Sequence, residues 1–192
     1  MYAIDINPEC KTLEDHIIEI FIGSQSDRDF LRELKKKIPR VDISIDDFGH
    51  TKVQQIITFE KLFDHVKENG VYLCEDLHTS YLLKFGGGFN RHGTFIEYSK
   101  KFIDHLNAYD SQQASLKVNK FTQSVDSIHY YDSILVIEKR KQEKLFHGKT
   151  GKISFQPPEP EKLGPVGKLK FYFIKYMNKV LRVFNIRSFI WR

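Results

Sequence analysis

The sequence predicts an α/β fold, with a mainly parallel sheet that ends in a carboxyl-terminal antiparallel hairpin. Over the first half of the chain, apolar runs of strand length alternate with segments of helical periodicity, the pattern of parallel strands joined by helices. Later, two strand candidates are separated only by Asp132-Ser133, which is hairpin spacing. The 192 residues, 41% hydrophobic and 29% charged, suffice for one globular domain with a sizeable core.

Four strands and two long helices are predicted in the first half. The strands are Tyr2–Ile6, Ile17–Ile22, Val41–Ile45 and Val71–Cys74. The connections are a short helical stretch from Pro8 to Asp15, a helix over Asp27–Lys37 capped by Ser26, and a helix over Thr51–Lys67 closed by Asn69-Gly70. Parallel strands joined in this way end at one edge of the sheet, where α/β proteins bind their ligands.

The second half is predicted to hold a glycine-rich loop, one helix and the hairpin. The loop Phe85–Phe89 contains three glycines, which suit either a tight turn or a mobile lid. A helix follows from Thr94 to about Tyr109, and the strands Val125–Tyr131 and Ile134–Lys139 form the hairpin. We expect a domain over residues 1–145, a proline-rich linker over 146–162 and a tail helix over 163–192.

Charge is distributed unevenly along the chain. Its 30 Lys and Arg residues outnumber the 25 Asp and Glu residues, but seven of the basic residues and no acidic residue fall within 163–192. Residues 1–162 therefore carry a net charge of −2, with 23 basic and 25 acidic residues. Residues 168–192 combine basic residues on one helical face with Phe173 and Phe184 on another. Such a helix suits peripheral contact with an anionic membrane, or docking on the protein's own core or on a partner subunit. We expect no nucleic-acid partner, because the aromatic residues form no recognisable stacking platform.

The cysteine content indicates a compartment. Cys10 and Cys74 are the two cysteines of the chain, which excludes a disulfide framework and favours a reducing environment. We therefore expect a cytoplasmic protein, which the tail could hold at the inner face of the membrane.

Two predicted strands end in acidic residues. Asp46 and Asp47 follow the third strand, with His50 three residues further on, and Glu75 and Asp76 follow the fourth strand. The 29-residue separation of Asp47 and Asp76 suits one strand–helix–strand crossover, which would bring both acidic pairs to one sheet edge. Clustered carboxylates suit a hard cation such as Mg²⁺, and His50 could act as a base beside it. The same acids could instead cap helices or lie solvated in loops.

Asp5 is a weaker signal, and several absent motifs argue against particular functions. Asp5 ends the first strand, where a nucleotide-binding sheet often has an acid for ribose hydroxyls, although an Asp at this position is also common in turns. The chain has no HExxH, CxxC or GxSxG motif, and no Lys-Ser/Thr follows Gly86-Gly87-Gly88. Zinc hydrolase, thioredoxin-like, serine hydrolase and P-loop functions therefore lack support.

Five segments within residues 1–140, taken in order, resemble class I S-adenosylmethionine-dependent methyltransferases. They are Tyr2–Pro8, Phe21–Asp27, Ile45–Thr51, Gly70–Thr79 and Phe85–Gly88. The resemblance is closest to metal-dependent macrolide and sugar O-methyltransferases of the mycinamicin type, and cephalosporin-hydroxylase-like relatives are more distant. It implies a Rossmann-like fold, methyl transfer from S-adenosylmethionine to a hydroxyl of a sugar or glycosylated small molecule, and a homo-oligomer.

The resemblance also implies roles for individual residues. His50 would take the proton from the acceptor hydroxyl. The other roles are cofactor binding for Asp5 (ribose hydroxyls), Gln25 and Asp27 (adenine), and Mg²⁺ binding for Asp47 and Asp76, with Glu75 as a further candidate ligand.

The chain departs from this family in two places. Ser24 stands where the family has an Asp after the equivalent of Gly23. The family also opens with a strand and a glycine-rich turn that hold the methionine part of the cofactor, whereas this sequence starts at the next strand. The resemblance therefore implies that the central first strand of the sheet is missing from this chain, and that the chain is the carboxyl-terminal portion of a longer enzyme. The alternative is a non-catalytic remnant or interaction module, anchored to a membrane or a partner by its basic tail.

Overall fold

The computed structural model describes residues 1–47, 52–146, 148, 150–152, 154–155, 158 and 163–183. The chain divides into two compact units, Met1–Phe146 and His147–Arg192. The strands are β1 (Tyr2–Asp5), β2 (Glu19–Ile22), β3 (Val41–Asp46), β4 (Val66–Cys74), β5 (Val125–Tyr131) and β6 (Ile134–Lys139). The α-helices are α1 (Arg28–Lys37), α2 (Lys52–Leu62), α3 (Phe95–Ser99), α4 (Lys101–Leu106), α5 (Lys120–Ser124) and α6 (Pro165–Val183). Short 3₁₀ helices cover Pro8–Leu13, Phe63–His65, Leu77–Tyr81, Leu83–Phe85 and Ala108–Asp110.

The strands of the first unit form a divided, mixed sheet. β1 pairs in parallel with β2, and a second sheet has the order β3-β4-β6-β5. β3 and β4 are parallel, while β6 runs antiparallel to β4 and to β5, so the predicted parallel arrangement and the predicted hairpin are both confirmed. Among the described residues no strand lies between β1 and β3, the position that the predicted fold gives to its central strand.

Two helices hold the halves of the divided sheet together. Leu31 and Leu34 of α1 are buried beside Ile57 of α2, and Ile4 of β1 and Val41 of β3 pack against the same cluster. α1 and α2 therefore bridge the two sheets through apolar contacts, although no backbone ladder joins β1 to β3 in the described residues.

An aromatic cluster covers one face of the larger sheet. The ring of Phe59 on α2 lies 4.9 Å from Phe63, 5.3 Å from Tyr72 on β4 and 4.6 Å from Phe102 on α4. Phe121 of α5 stacks on Phe102 at 4.8 Å. These rings fix α2 against β4, and so fix the position at which β3 and β4 end.

Two predicted boundaries near the start of the sheet are wrong. Asp27, not Ser26, caps α1, because its side chain accepts hydrogen bonds from the backbone N–H groups of Asp29 and Phe30. The helix predicted to reach Lys67 ends at Leu62, and Asn69-Gly70 lies inside β4. A Cβ on Gly70 would lie 2.4 Å from the carbonyl oxygen of Asp42, so this glycine permits the close approach of β3 to β4 and does not end a helix.

The predicted helix from Thr94 to Tyr109 is also interrupted. The structure has α3, α4 and a 3₁₀ helix in this segment. The buried Ser99 side chain donates a hydrogen bond to the carbonyl oxygen of Ile96 at 3.2 Å, and such bonding competes with regular helical pairing.

The glycine run adopts the tight turn of the two predicted alternatives. The backbone N–H of Gly88 donates to the carbonyl oxygen of Ser80 at 2.8 Å, and a Cβ on Gly87 would lie 2.5 Å from that oxygen. The loop is therefore packed against the 3₁₀ helix Leu77–Tyr81.

The described residues of the second unit form one helix. α6 covers Pro165–Val183, so residues 184–192 of the predicted tail helix lie outside the described residues. In the part of the chain that the structure describes, no helix combines the length and apolar character needed to cross a membrane.

Candidate active site

The ends of β3 and β4 lie side by side in register. Asp46 is paired with Cys74, and the N–H of Glu75 donates to the carbonyl oxygen of Asp46 at 2.9 Å. Asp47 and Glu75 therefore leave the sheet next to each other, which confirms the prediction that the two acidic pairs meet at one edge.

The carboxylates at this edge interact with one another. Partial burial raises the pKa of Glu75, and the negative charge of Asp47, a hydrogen bond with Asp47 and the negative charge of Asp76 raise it further. A carboxyl group whose pKa is raised by neighbouring negative charges is stabilised in its charged form when a cation neutralises those charges. Their oxygen donors are those that Mg²⁺ prefers in proteins.

Asp46 has a different environment from these three acids. It is 2% exposed, and the hydroxyl of Tyr72 donates to its Oδ2 atom at 3.2 Å. Burial raises the pKa of Asp46 to about 7, although the hydrogen bond from Tyr72 favours the charged form. Because successive strand residues face opposite sides, Asp46 belongs to the covered face of the sheet, so only one acid of this sequence pair is available at the open edge.

Backbone hydrogen bonds fix the loop that carries Asp76. Asp76 has a left-handed backbone conformation, with φ of 55°, and its carbonyl oxygen accepts from the N–H of Thr79 at 3.0 Å. Nδ1 of His78 lies 2.7 Å from Oγ of Ser133 and 3.8 Å from a carboxylate oxygen of Asp76. The hairpin turn thus anchors the segment that follows β4.

Gln55 is a positioning residue that sequence reasoning missed. It is 1% exposed, and its side-chain amide donates to the carbonyl oxygen of Glu75 at 3.0 Å. This contact ties α2 to the end of β4. A polar residue among the apolar residues of α2 was the available signal, but it does not specify a partner.

The rest of the predicted metal centre is not assembled within the described residues. His50 lies outside them, in the segment 48–51. Among the described residues, no group of three or more His, Cys, Asp or Glu side chains is arranged to hold a metal ion. Asp47, Glu75 and Asp76 therefore share an edge and influence one another electrostatically, and their role as ligands stays a prediction.

The structure brings together two of the three predicted cofactor residues. Asp5 and Gln25 line a cavity of about 30 Å³ at the ends of β1 and β2, together with Ser24. Oδ1 of Asp5 accepts from the N–H of Asn7 at 2.7 Å. Oε1 of Gln25 is buried without a hydrogen-bond partner among the described residues. Asp27 caps α1 and does not line this cavity.

The chain is similar to several known proteins. No protein-family model matches the chain. It is 30% identical over 142 residues to 8-demethyl-8-alpha-L-rhamnosyl tetracenomycin-C 2'-O-methyltransferase of Streptomyces olivaceus, and the matched region covers 73% of this chain and 37% of that protein. It is 29% identical over 155 residues to mycinamicin VI 2''-O-methyltransferase of Micromonospora griseorubida, which covers 75% of this chain and 37% of that protein.

A solved structure shares the fold. It is the MycE methyltransferase of the mycinamycin biosynthetic pathway in complex with Mg, SAH and mycinamycin VI, with a TM-score of 0.66 and 26% identity over 73% of this chain and 36% of that one. This chain has the class I S-adenosylmethionine-dependent methyltransferase fold, and its homologues are macrolide and sugar O-methyltransferases. This chain spans about 37% of the length of these relatives.

Proposed function

We propose that this chain contributes the metal-binding sheet edge of a Mg²⁺-assisted, S-adenosylmethionine-dependent O-methyltransferase. The acceptor is a hydroxyl of a sugar or glycosylated small molecule. The observation that carries the proposal is the meeting of Asp47, Glu75 and Asp76 at one edge, in a fold shared with a methyltransferase that binds Mg and SAH.

The chain's own residues have separate tasks in this proposal. Asp47 and Asp76, with Glu75, hold the cation, and Gln55 keeps the Glu75 backbone in place. Asp5 binds the ribose hydroxyls of the cofactor, while Gln25 and Asp27 contact its adenine. His50 accepts the proton of the acceptor hydroxyl. When bound, Mg²⁺ orients this hydroxyl and lowers its pKa, and S-adenosylmethionine supplies the methyl group.

Metal binding tests the site independently of turnover. Isothermal titration of the full chain with Mg²⁺ should show an affinity that falls at least about tenfold in Asp47→Ala and in Asp76→Ala, since even residues that only support ligands cost that much when removed. Asp42→Ala is the matched control, because Asp42 lies on the same strand with a side chain 78% exposed. Equal Mg²⁺ affinities in all four proteins would refute the assignment.

Methyl transfer tests the activity itself. Transfer from labelled S-adenosylmethionine to a glycosylated macrolide should depend on Mg²⁺, and His50→Ala should lower turnover while leaving cofactor binding unchanged. We also propose that transfer requires polypeptide beyond these 192 residues, because the chain spans about 37% of its relatives' length. If the chain binds Mg²⁺ but neither it nor a longer protein that contains it transfers methyl groups, the result supports the predicted alternative of a non-catalytic module.

For the tail we propose peripheral contact with an anionic membrane. α6 exposes Leu169, Phe173 and Tyr176 at 74%, 63% and 66%, and it carries lysines but no acidic residue. Phe173→Glu should reduce co-sedimentation with vesicles containing phosphatidylserine, whereas Tyr81→Glu, at a site 50% exposed in the other unit, should not. Equal sedimentation of both variants would argue against the membrane. Light scattering of the same proteins without vesicles checks the predicted homo-oligomer.

A further inference from the structure

The turn of the β5–β6 hairpin is bonded to the segment that follows β4. The backbone N–H of Leu77 donates to the carbonyl oxygen of Ser133 at 3.0 Å, and the backbone N–H of His78 donates to Oγ of Ser133 at 3.2 Å. Nδ1 of His78 lies 2.7 Å from the same Oγ atom. A hydroxyl group has one proton and two lone pairs, so Oγ of Ser133 serves both contacts with His78 together. One residue of the hairpin therefore holds the two residues that follow Asp76.

The strand register explains why Ser133 meets this segment. Cys74, the last residue of β4, is paired with Leu135 of β6 in an antiparallel ladder. Asp76 comes two residues after Cys74, and Ser133 comes two residues before Leu135, so the same register carried two residues further brings Asp76 opposite Ser133. Leu135 is fully buried, and β6 lies between β4 and β5 in the larger sheet. The turn that carries Ser133 therefore has a rigid base.

The contacts matter because Asp76 has an unusual backbone conformation. Its φ is 55°, and that of Ser133 is 62°. Residues other than glycine are strained at positive φ, and they persist there only where their surroundings hold them. Within the segment, the backbone N–H and the hydroxyl of Thr79 both donate to the carbonyl oxygen of Asp76, at 3.0 and 2.7 Å. Ser133 adds a hold from the opposite strand, and together these bonds set the direction in which the Asp76 side chain leaves the backbone.

We propose that Ser133, acting through His78, is a positioning residue that orients the Asp76 carboxylate for a divalent cation. The inference rests on the proposed function, because it takes Asp76 as a ligand of Mg²⁺. Nδ1 of His78 lies 3.8 Å from a carboxylate oxygen of Asp76, so the imidazole that Ser133 anchors restricts where this carboxylate can lie. A carboxylate held in one orientation loses less conformational freedom when it binds the cation.

Isothermal titration of the full chain with Mg²⁺ tests this role without turnover. Ser133→Ala removes the hydroxyl and should lower the Mg²⁺ affinity by at least about threefold, a smaller loss than the roughly tenfold typical of a partner bonded directly to a ligand. Ser133→Gly also removes the hydroxyl and adopts positive φ without strain, so it supplies the measurement if the alanine variant does not fold. Ser127→Ala is the matched control and should keep the parent's affinity. The Ser127 hydroxyl contacts His129 and Glu138 near the open end of the same hairpin.

Variants of His78 distinguish positioning from a general loss of structure. His78→Ala should also weaken Mg²⁺ binding, and its effect should not add to that of Ser133→Ala, because both substitutions break the same contact. His78→Asn should keep the parent's affinity. Its side-chain amide carries polar atoms on Cγ, as the imidazole carries Nδ1, and can therefore still bond to Ser133.

The outcomes separate this inference from the proposed function. If Asp47→Ala and Asp76→Ala weaken Mg²⁺ binding but the folded Ser133 variants bind like the parent, the metal site stands and the positioning role is wrong. Additive losses in the double variant of Ser133 and His78, or a loss in His78→Asn as large as in His78→Ala, would also overturn the positioning role. Equal affinities of the parent and the two aspartate variants would overturn the metal site, and the positioning role with it.

Discussion

Replacing Asp46 with Asn should remove a pH dependence of stability that the buried carboxyl creates. Burial raises the pKa of Asp46 from 3.8 to about 7, against the effect of the hydrogen bond from Tyr72. Below about pH 4 both folded and unfolded chains are protonated at this site. Between about pH 4 and 7 only the unfolded chain releases the proton, so the free energy of unfolding falls as pH rises.

The size of this effect follows from the shift. Moving the pKa from 3.8 to about 7 lowers the free energy of unfolding by about 4 kcal/mol at pH 8, relative to low pH. Asn stays neutral at every pH, is similar in shape and still accepts a hydrogen bond from Tyr72. Asp46→Asn should therefore be more stable than the parent chain at pH 8 by up to about 4 kcal/mol, with a much smaller difference at pH 4.

Urea unfolding, followed by circular dichroism between pH 4 and 8, measures the free energy of unfolding of both proteins. EDTA is present so that no divalent cation contributes. Asp42→Asn is the matched control, because Asp42 is on the same strand but exposed, and its variant should keep the parent's pH profile. If Asp46→Asn and the parent chain lose stability in parallel from pH 4 to 7, burial of Asp46 does not raise its pKa and the reasoning is wrong.

Three further substitutions test the packing that positions the site. Lys139→Met should lower the free energy of unfolding in urea by about 2–4 kcal/mol, because the buried ammonium donates to the carbonyl oxygens of Phe63 and Val66 at 2.9 and 2.8 Å. Lys141→Met, at an exposed position, is its control and should change stability by less than about 0.5 kcal/mol. Gly70→Ala should cost at least about 2 kcal/mol in the same assay, since its Cβ would overlap a β3 carbonyl; full stability would show that β3 and β4 can separate freely. Phe59→Ala should cost about 3–5 kcal/mol by loss of the central aromatic ring, and a smaller loss would show that the cluster collapses around the cavity.

Where a sequence pattern fits only one structure, the prediction from sequence was correct. The alternation of apolar runs and helices requires parallel strands, so the carboxyl ends of β3 and β4, and with them Asp47 and Glu75, had to meet. The two-residue separation at Asp132-Ser133 similarly left little choice besides a hairpin.

Where a sequence pattern fits two structures, the prediction was less successful. Asn-Gly is usually a turn signal, but at Gly70 the requirement is close approach of a neighbouring strand, which depends on a residue 28 positions away, Asp42. At the break after Ser99, the buried hydroxyl donates to a carbonyl oxygen of the helix, a contact that apolar periodicity does not specify. Gln55 could be recognised as unusual, but the Glu75 carbonyl that it binds is brought near only by the tertiary fold.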